Sequence, residues 1–402
     1  MSTDFDVRAA AAAPDPGPLL ARMRQATPVY RDESLDAWVL TRYDDVARVV
    51  RDPAFSVDRG GTIARAATQE AETELAWCND FVLRWMVFSD PPRHSRLRGA
   101  IHRAFTSQAI ARLRPGIDAA VRSAIAPTGR MEVLADLAIP VPALVTAELL
   151  GLPPSDASLL KSWTVAMFDL FGAGVADARI IRAAHRALVD CRAYFAEHLA
   201  RRRRAPGDDL ASVLATSADA AHLDDDERIG ICATLVAGAY ETTTHVVGNA
   251  VWALLQHPAQ LARVCAEPVR VPHVIEEVFR WDTPAFSVVR RASADCEIGG
   301  RAIRRGERLY CVLYSANRDP ARYPDPDTFD IDREDVRHLG LGHGLHFCLG
   351  AALSRLEAIA MLEALVTLPN IALDREALPS GPSYAGNLAM RGLCSLPIRF
   401  DR

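Results

Sequence analysis

Lysine is almost absent from this chain: Lys161 is the only one in 402 residues, and arginine supplies every other basic side chain apart from histidine. Such a bias fits a GC-rich bacterial genome better than any functional demand. The net charge of −5 leaves no basic footprint for nucleic acid. Eight cysteines (Cys78, Cys191, Cys232, Cys265, Cys296, Cys311, Cys348 and Cys394) contain no CxxC pair and no zinc-like spacing. Scattered in this way they read as reduced fillers of a reducing compartment. No proline- or glycine-rich linker, charge block or internal repeat divides the chain, which excludes an obvious multidomain layout. No apolar run approaches the length needed to span a bilayer, and the polar, alanine-rich start has no charged segment before an apolar core. The expectation is a cytoplasmic protein without membrane or nucleic-acid partners.

What is present is enough apolar sequence, half of the residues, to bury a large core. Residues 1–17 read as a flexible lead-in and 18–402 as a single domain. Pro28-Val29-Tyr30-Arg31 and Ala37-Trp38-Val39-Leu40-Thr41 predict a hairpin, followed by a helix from Tyr43 to Arg51. Residues 55–88 read as a long irregular loop with Trp77, Phe81, Trp85, Met86 and Phe88, of the kind used as a lid or binding loop. From 114 to 204 the pattern is mostly helical, and a longer helix follows over about 225–256. Residues 294–312 read as hairpin strands, and a proline-rich meander comes after them. The fold class is mainly α with a small β-rich part (α+β).

One stretch organises the rest: Leu339-Gly340-Leu341-Gly342-His343-Gly344-Leu345-His346-Phe347-Cys348-Leu349-Gly350. Alternating glycines suit backbone that turns tightly or lies against a flat object a Cβ would strike. The helical pattern from Ala351 to Leu365 sets Cys348 at a helix N-terminus, where converging amides favour a thiolate. An anionic sulfur on a glycine-lined loop is what a haem iron takes as an axial ligand.

The segment resembles the haem-binding signature of the cytochrome P450 family, Phe-Gly-x-Gly-x-His-x-Cys-x-Gly, with Leu341 in place of the usual Phe. Three further motifs in the family's order strengthen the resemblance. Ser89-Asp90-Pro91-Pro92 opens a helix carrying His94 and Arg98, which in the family reach the haem propionates; an arginine fork suits a carboxylate. Gly238-Ala239-Tyr240-Glu241-Thr242-Thr243 is similar to the oxygen-activating segment, with Ala239 where Gly is commoner. An acid and several hydroxyls inside an apolar helix are costly to bury, which suggests purpose. Glu277 and Arg280 resemble the family's Glu-x-x-Arg, with Arg333 of the meander completing a structural lock. The strand after Thr283-Pro284 points to Arg290 as a further propionate ligand, with Arg291 a close rival.

The resemblance implies a P450-like fold with the haem buried between two long helices. It implies haem b on Cys348, the metal ligand, with His94, Arg98, Ala239, Arg290, Leu341, Gly342, His346 and Gly350 around the cofactor. Glu241 and Thr242 would be catalytic. A pocket of Phe81, Trp85, Phe88, Leu235, Gly238, Ala285, Phe286, Val288 and Leu388 would take a small, largely apolar molecule of bacterial secondary metabolism. Dioxygen and two electrons would come in, the electrons from NAD(P)H through a ferredoxin or flavodoxin and its reductase, attracted by Arg96, Arg103 and Arg355. A peroxide-driven peroxygenase, or a haem sensor or carrier, are the alternatives.

Overall fold

The computed structural model describes residues 5–125 and 129–401. Helices dominate, and short strands gather into one five-stranded sheet and four smaller ones. The P450-like, mainly α class expected from sequence is what the chain adopts.

The longest helix, Asp225–Gln256, starts where its sequence says it should. The Asp224 carboxylate accepts from the Glu227 amide at 2.7 Å while Glu227 accepts from the Asp224 amide at 3.2 Å, a reciprocal cap that satisfies two orphan donors. Its N-terminal half buries Ile229, Cys232 and Val236 in one apolar cluster with Trp85 and Phe88. Its C-terminal half buries Val246, Ala250 and Leu254 in a second cluster with Leu353 and Val278. The polar run 240–245 falls at the junction of the two. Helix Ala351–Val366 packs alongside, and the Thr243 hydroxyl donates to Ser354 Oγ at 3.1 Å.

The main sheet runs in the order Val29–Asp32, Ala37–Leu40, Arg308–Val312, Ser287–Ala292, Phe55–Ser56. Arg308–Val312 is parallel to Ala37–Leu40 and antiparallel to Ser287–Ala292, with Tyr310 opposite both Val39 and Val289. Both faces are covered. Leu309 and Cys311 enter one apolar cluster, Tyr310 and Val312 the opposite one, as the two-residue period of a strand requires.

The hairpin and the helix Tyr43–Arg51 stand where the sequence predicts them. Three expectations need correction. Of the supposed flexible lead-in, residues 1–4 lie outside the described residues, but Val7–Ala12 is a helix capped by Asp6 with Val7, Ala10 and Ala11 fully buried. The buried Arg391 guanidinium donates to Ala13 O and Pro14 O, both at 2.6 Å, so distant contacts hold a segment whose composition alone suggested freedom. The 55–88 stretch is not irregular throughout, since Glu72–Val82 is helical and buries Leu75, Cys78, Phe81 and Val82. Residues 126–128, within the stretch read as mostly helical, also lie outside the described residues. Finally, Val133–Leu150 is an 18-residue run long and apolar enough to cross a bilayer, but 61% of it is buried inside the protein, as befits a core element.

Candidate active site

The cysteine loop takes its shape from its glycines. Gly342 and Gly344 adopt φ of +72° and +71°, left-handed backbone that a side chain would strain. A Cβ on Gly340 would stand 2.5 Å from the Phe279 carbonyl oxygen. The turn closes through Cys348 N donating to Leu341 O at 2.9 Å, and Gly350 caps the helix Ala351–Val366. Burial pushes the Cys348 thiol up, against the opposing pull of the Gly350 amide, Arg98 and Arg355. A cation bound at the sulfur would favour the thiolate.

Four basic side chains converge beside this loop. Arg98 reaches over from helix Arg93–Ile101 and donates to Phe347 O at 2.9 Å. The His94 and His346 rings lie 4.2 Å apart, and buried His94 Nδ1 has no partner among the described residues. Arg290, also buried, bonds among the described residues only to the Val289 carbonyl, at 3.0 Å. Its rival Arg291 is committed elsewhere, to Asp58 Oδ2 at 3.1 Å. Neither Arg98 nor Arg290 has a carboxylate within 4.0 Å among the described residues. Burial, followed by the nearness of His94, Arg290 and Arg98, pushes His346 down to about 3. The two arginines are charges without an anion among the described residues.

On the long helix the polar residues diverge. Thr234, Ala237, Gly238 and Thr242, at helical spacing, line a cavity of about 280 Å³. Thr243 turns to Ser354, Thr244 to Ala138 O at 2.8 Å, and Tyr240 is buried in the core. Glu241 lies off the cavity, its Oε2 3.3 Å from His245 Nε2. The Thr242 hydroxyl donates to Gly238 O at 2.5 Å. A carbonyl oxygen can only accept, so Thr242 offers the cavity its lone pairs and not its proton.

Comparison with known proteins settles the family. A family model described as Cytochrome P450 matches residues 178–368. The cytochrome P450 monooxygenase PikC of Streptomyces venezuelae is 36% identical over 403 residues, covering 97% of this chain and 92% of PikC. The chain belongs to the cytochrome P450 family. This P450 is also 35% identical over 363 residues to the erythromycin C-12 hydroxylase of Saccharopolyspora erythraea, covering 89% of this chain and 88% of that one. The crystal structure of P450BioI in complex with hexadec-9Z-enoic acid ligated acyl carrier protein matches at a TM-score of 0.88 and 30% identity, over 96% of this chain and 98% of that one. The enzyme is thus a P450 oxidoreductase of monooxygenase type.

A haem, the family's cofactor, needs a flat space, a sulfur ligand and partners for two carboxylates. The residues of this P450 fit. A Cβ at Gly238 or at Gly350 would meet no protein atom within 4 Å, and the cationic cluster stands beside Cys348. Ala239 and Leu341 pack partly buried against the two apolar clusters, and Gly342 faces the loop's outer side. Glu277 and Arg280 form a fully buried bidentate pair at 2.7 Å, which Arg333 Nε joins at 3.4 Å.

The residues expected in the pocket divide between the cavity and the core. Trp85, Phe88, Gly238, Ala285 and Val288 line the cavity. Phe286 does not: it is fully buried in the apolar cluster on the other side of the sheet, its ring 5.8 Å from that of Tyr314. Leu388 is buried in that same cluster, while Phe81 and Leu235 pack into the core around the long helix. Sequence reading missed Phe168 and Phe171, from helix Ala157–Ala173, and Arg59 from the loop before Glu72–Val82. None of these sits in a motif. The basic docking face also changes, because Arg96 is paired with buried Glu227, Arg355 with Glu276 and Arg103 with Asp219.

Proposed function

We propose that this P450 is a soluble, cytoplasmic monooxygenase that holds haem b through Cys348 and oxidises a small, largely apolar molecule of bacterial secondary metabolism. Electrons reach it from NAD(P)H through a ferredoxin or flavodoxin. The observation that carries this reading is the convergence of Arg98, Arg290, His94 and His346 without carboxylate partners, with Arg290 lining the same cavity as Thr242. Bound there, the haem would supply the redox centre at which dioxygen is activated. Arg98 and Arg290 would balance its two propionates, and His94 and His346 would add hydrogen bonds to them. Glu277, Arg280 and Arg333 hold the meander in place beneath the cysteine loop.

Thr242 would serve the cavity first as an acceptor, steadying an ordered water that donates to its lone pairs. It delivers a proton only when its bond to Gly238 O is released. Glu241 exchanges protons with solvent behind it. The aromatic side chains Trp85, Phe88, Phe168 and Phe171 exclude bulk water and contact the substrate's apolar surface. Relatives named as an erythromycin C-12 hydroxylase and as a polyketide biosynthesis cytochrome P450 support a secondary-metabolic substrate.

The test is spectroscopic and then catalytic. Reduced, CO-treated enzyme should show the red-shifted Soret band of a thiolate-ligated haem, and Cys348→Ser should lose it. With NADPH, a ferredoxin and its reductase, a scaffold panel should yield oxygenated products. Activity driven by peroxide but not by NADPH would put the peroxygenase in its place.

A further inference from the structure

The cavity that carries Thr242 is apolar apart from a few hydroxyls and two guanidinium groups, Arg290 and Arg59. Arg290 has an anion waiting in the reading above. Arg59 has none. Among the described residues its hydrogen bonds run only from Nη1 to two backbone carbonyls, Ile63 O at 3.3 Å and Phe171 O at 3.4 Å, both long. Nε and Nη2 have no acceptor among the described residues. The neighbouring acids are taken: Asp58 binds Arg291, and Asp90 accepts from Ser56 Oγ and the Val57 amide. Cζ of Arg59 stands 5.0 Å from the centroid of the Phe88 ring, itself part of the cavity wall.

A guanidinium in such surroundings is costly. Burial, with Arg290 and Arg308 adding repulsion, pulls Arg59 down to about 10, against which only Tyr310 acts, yet it stays charged at neutral pH. A half-buried charge in an apolar wall loses part of its hydration, which an anionic ligand would replace. The charge count leaves Arg59 free for one. Two propionates are matched by two arginines, Arg98 and Arg290, both beside the cysteine loop and neither with a carboxylate within 4.0 Å among the described residues.

We infer that Arg59 is a specificity-determining residue and that the substrate is an organic anion. Its carboxylate or phosphate monoester is gripped by Nε and Nη2 of Arg59, and its apolar body lies along Phe88 and Phe171 toward Thr242. This rests on the monooxygenase reading for the site, and it narrows the substrate from an apolar molecule to an apolar acid oxidised away from its anionic end. The Nε and Nη2 edge of arginine presents two parallel donors that match two oxygens of either group.

The test uses ferric holoenzyme and isothermal titration calorimetry with three probes sharing one body: 4-phenylbutyrate, its methyl ester and 3-phenylpropyl phosphate. Wild type should bind at least one acid roughly tenfold or more tighter than the ester. The tighter acid names the anion class. Arg59→Gln should erase the preference with ester affinity little changed, and Arg59→Lys should keep part of it. Equal binding of acids and ester by wild type would overturn the inference, as would a preference that survives in Arg59→Gln. Haem loss from Arg59→Gln would also overturn it, by assigning this arginine to the cofactor. The CO spectrum of the same wild-type preparation reports on the haem-thiolate reading separately, so the two can fail independently.

Discussion

Glu241 Oε2 lies 3.3 Å from Nε2 of His245, one turn further along the same helix, with both side chains mostly buried. The carboxylate is therefore steadied by its own helix and not by a distant arginine. His245 is held in turn by strand Arg391–Leu393, where a Cβ on Gly392 would fall 1.8 Å from His245 Nδ1. Gly392 is glycine because the ring takes the space a side chain would need.

That arrangement makes proton delivery separable from oxidation as such. Thr242→Ala should still bind substrate and accept electrons, but divert most of them to hydrogen peroxide, and Glu241→Gln should slow turnover. Positioned proton transfer is worth on the order of 10²-fold or more. Peroxide-driven turnover should survive both changes better. NADPH consumed, peroxide released and product formed, measured together, check this; unchanged coupling in Thr242→Ala would leave that threonine a plain helix residue. Gly392→Ala should behave like Glu241→Gln by displacing His245.

The cationic cluster predicts cofactor retention. Arg98→Ala and Arg290→Ala should each release haem faster to excess apoglobin, by roughly tenfold or more, because a hydrogen bond to a charged group contributes about 1.5–3 kcal/mol. Arg291→Ala should have no such effect, since its partner is Asp58. Equal release rates in all three variants would remove the propionate assignment.

The buried pair Glu277 and Arg280 should dominate a stability scan. Glu277 also accepts from the Asp330 amide at 2.9 Å, while Arg280 donates to Asn317 O, Pro326 O and Thr328 O. Glu277→Gln strands a buried charge, which costs about 3–5 kcal/mol. A urea midpoint within error of wild type would contradict this.

A fourth prediction concerns pH. Burial pushes Glu357 up to about 8, and its Oε1 has no hydrogen-bond partner among the described residues. Below about pH 4.5, the ordinary value, the carboxyl is protonated in both folded and unfolded chains and exacts no cost. From there to about 8 the unfolded chain ionises first, so this group lowers stability as pH rises, by on the order of a few kcal/mol in total. Glu357→Gln should flatten that slope and melt higher than wild type at pH 7.5. Parallel stability curves for the two proteins between pH 5 and 8 would refute the assignment.

The sequence by itself determined the elements whose signals are local. Glycine alternation marked the cysteine loop, apolar periodicity the helix beginning at Ala351, and strand pattern with a turn the hairpin at Val29–Leu40. Motif order carried the family. Only the tertiary structure decided which of two adjacent arginines turns to the cavity, that Phe286 faces away from it, and that Phe168, Phe171 and Arg59 complete its wall. It also decided that Arg96 pairs with Glu227, 131 positions away, and that Arg391 straps the N-terminal segment from 378 positions away. The reason is physical. Dihedral preference and periodicity act within a few residues, whereas a charge finds its partner, and a side chain its face, only after distant segments have packed.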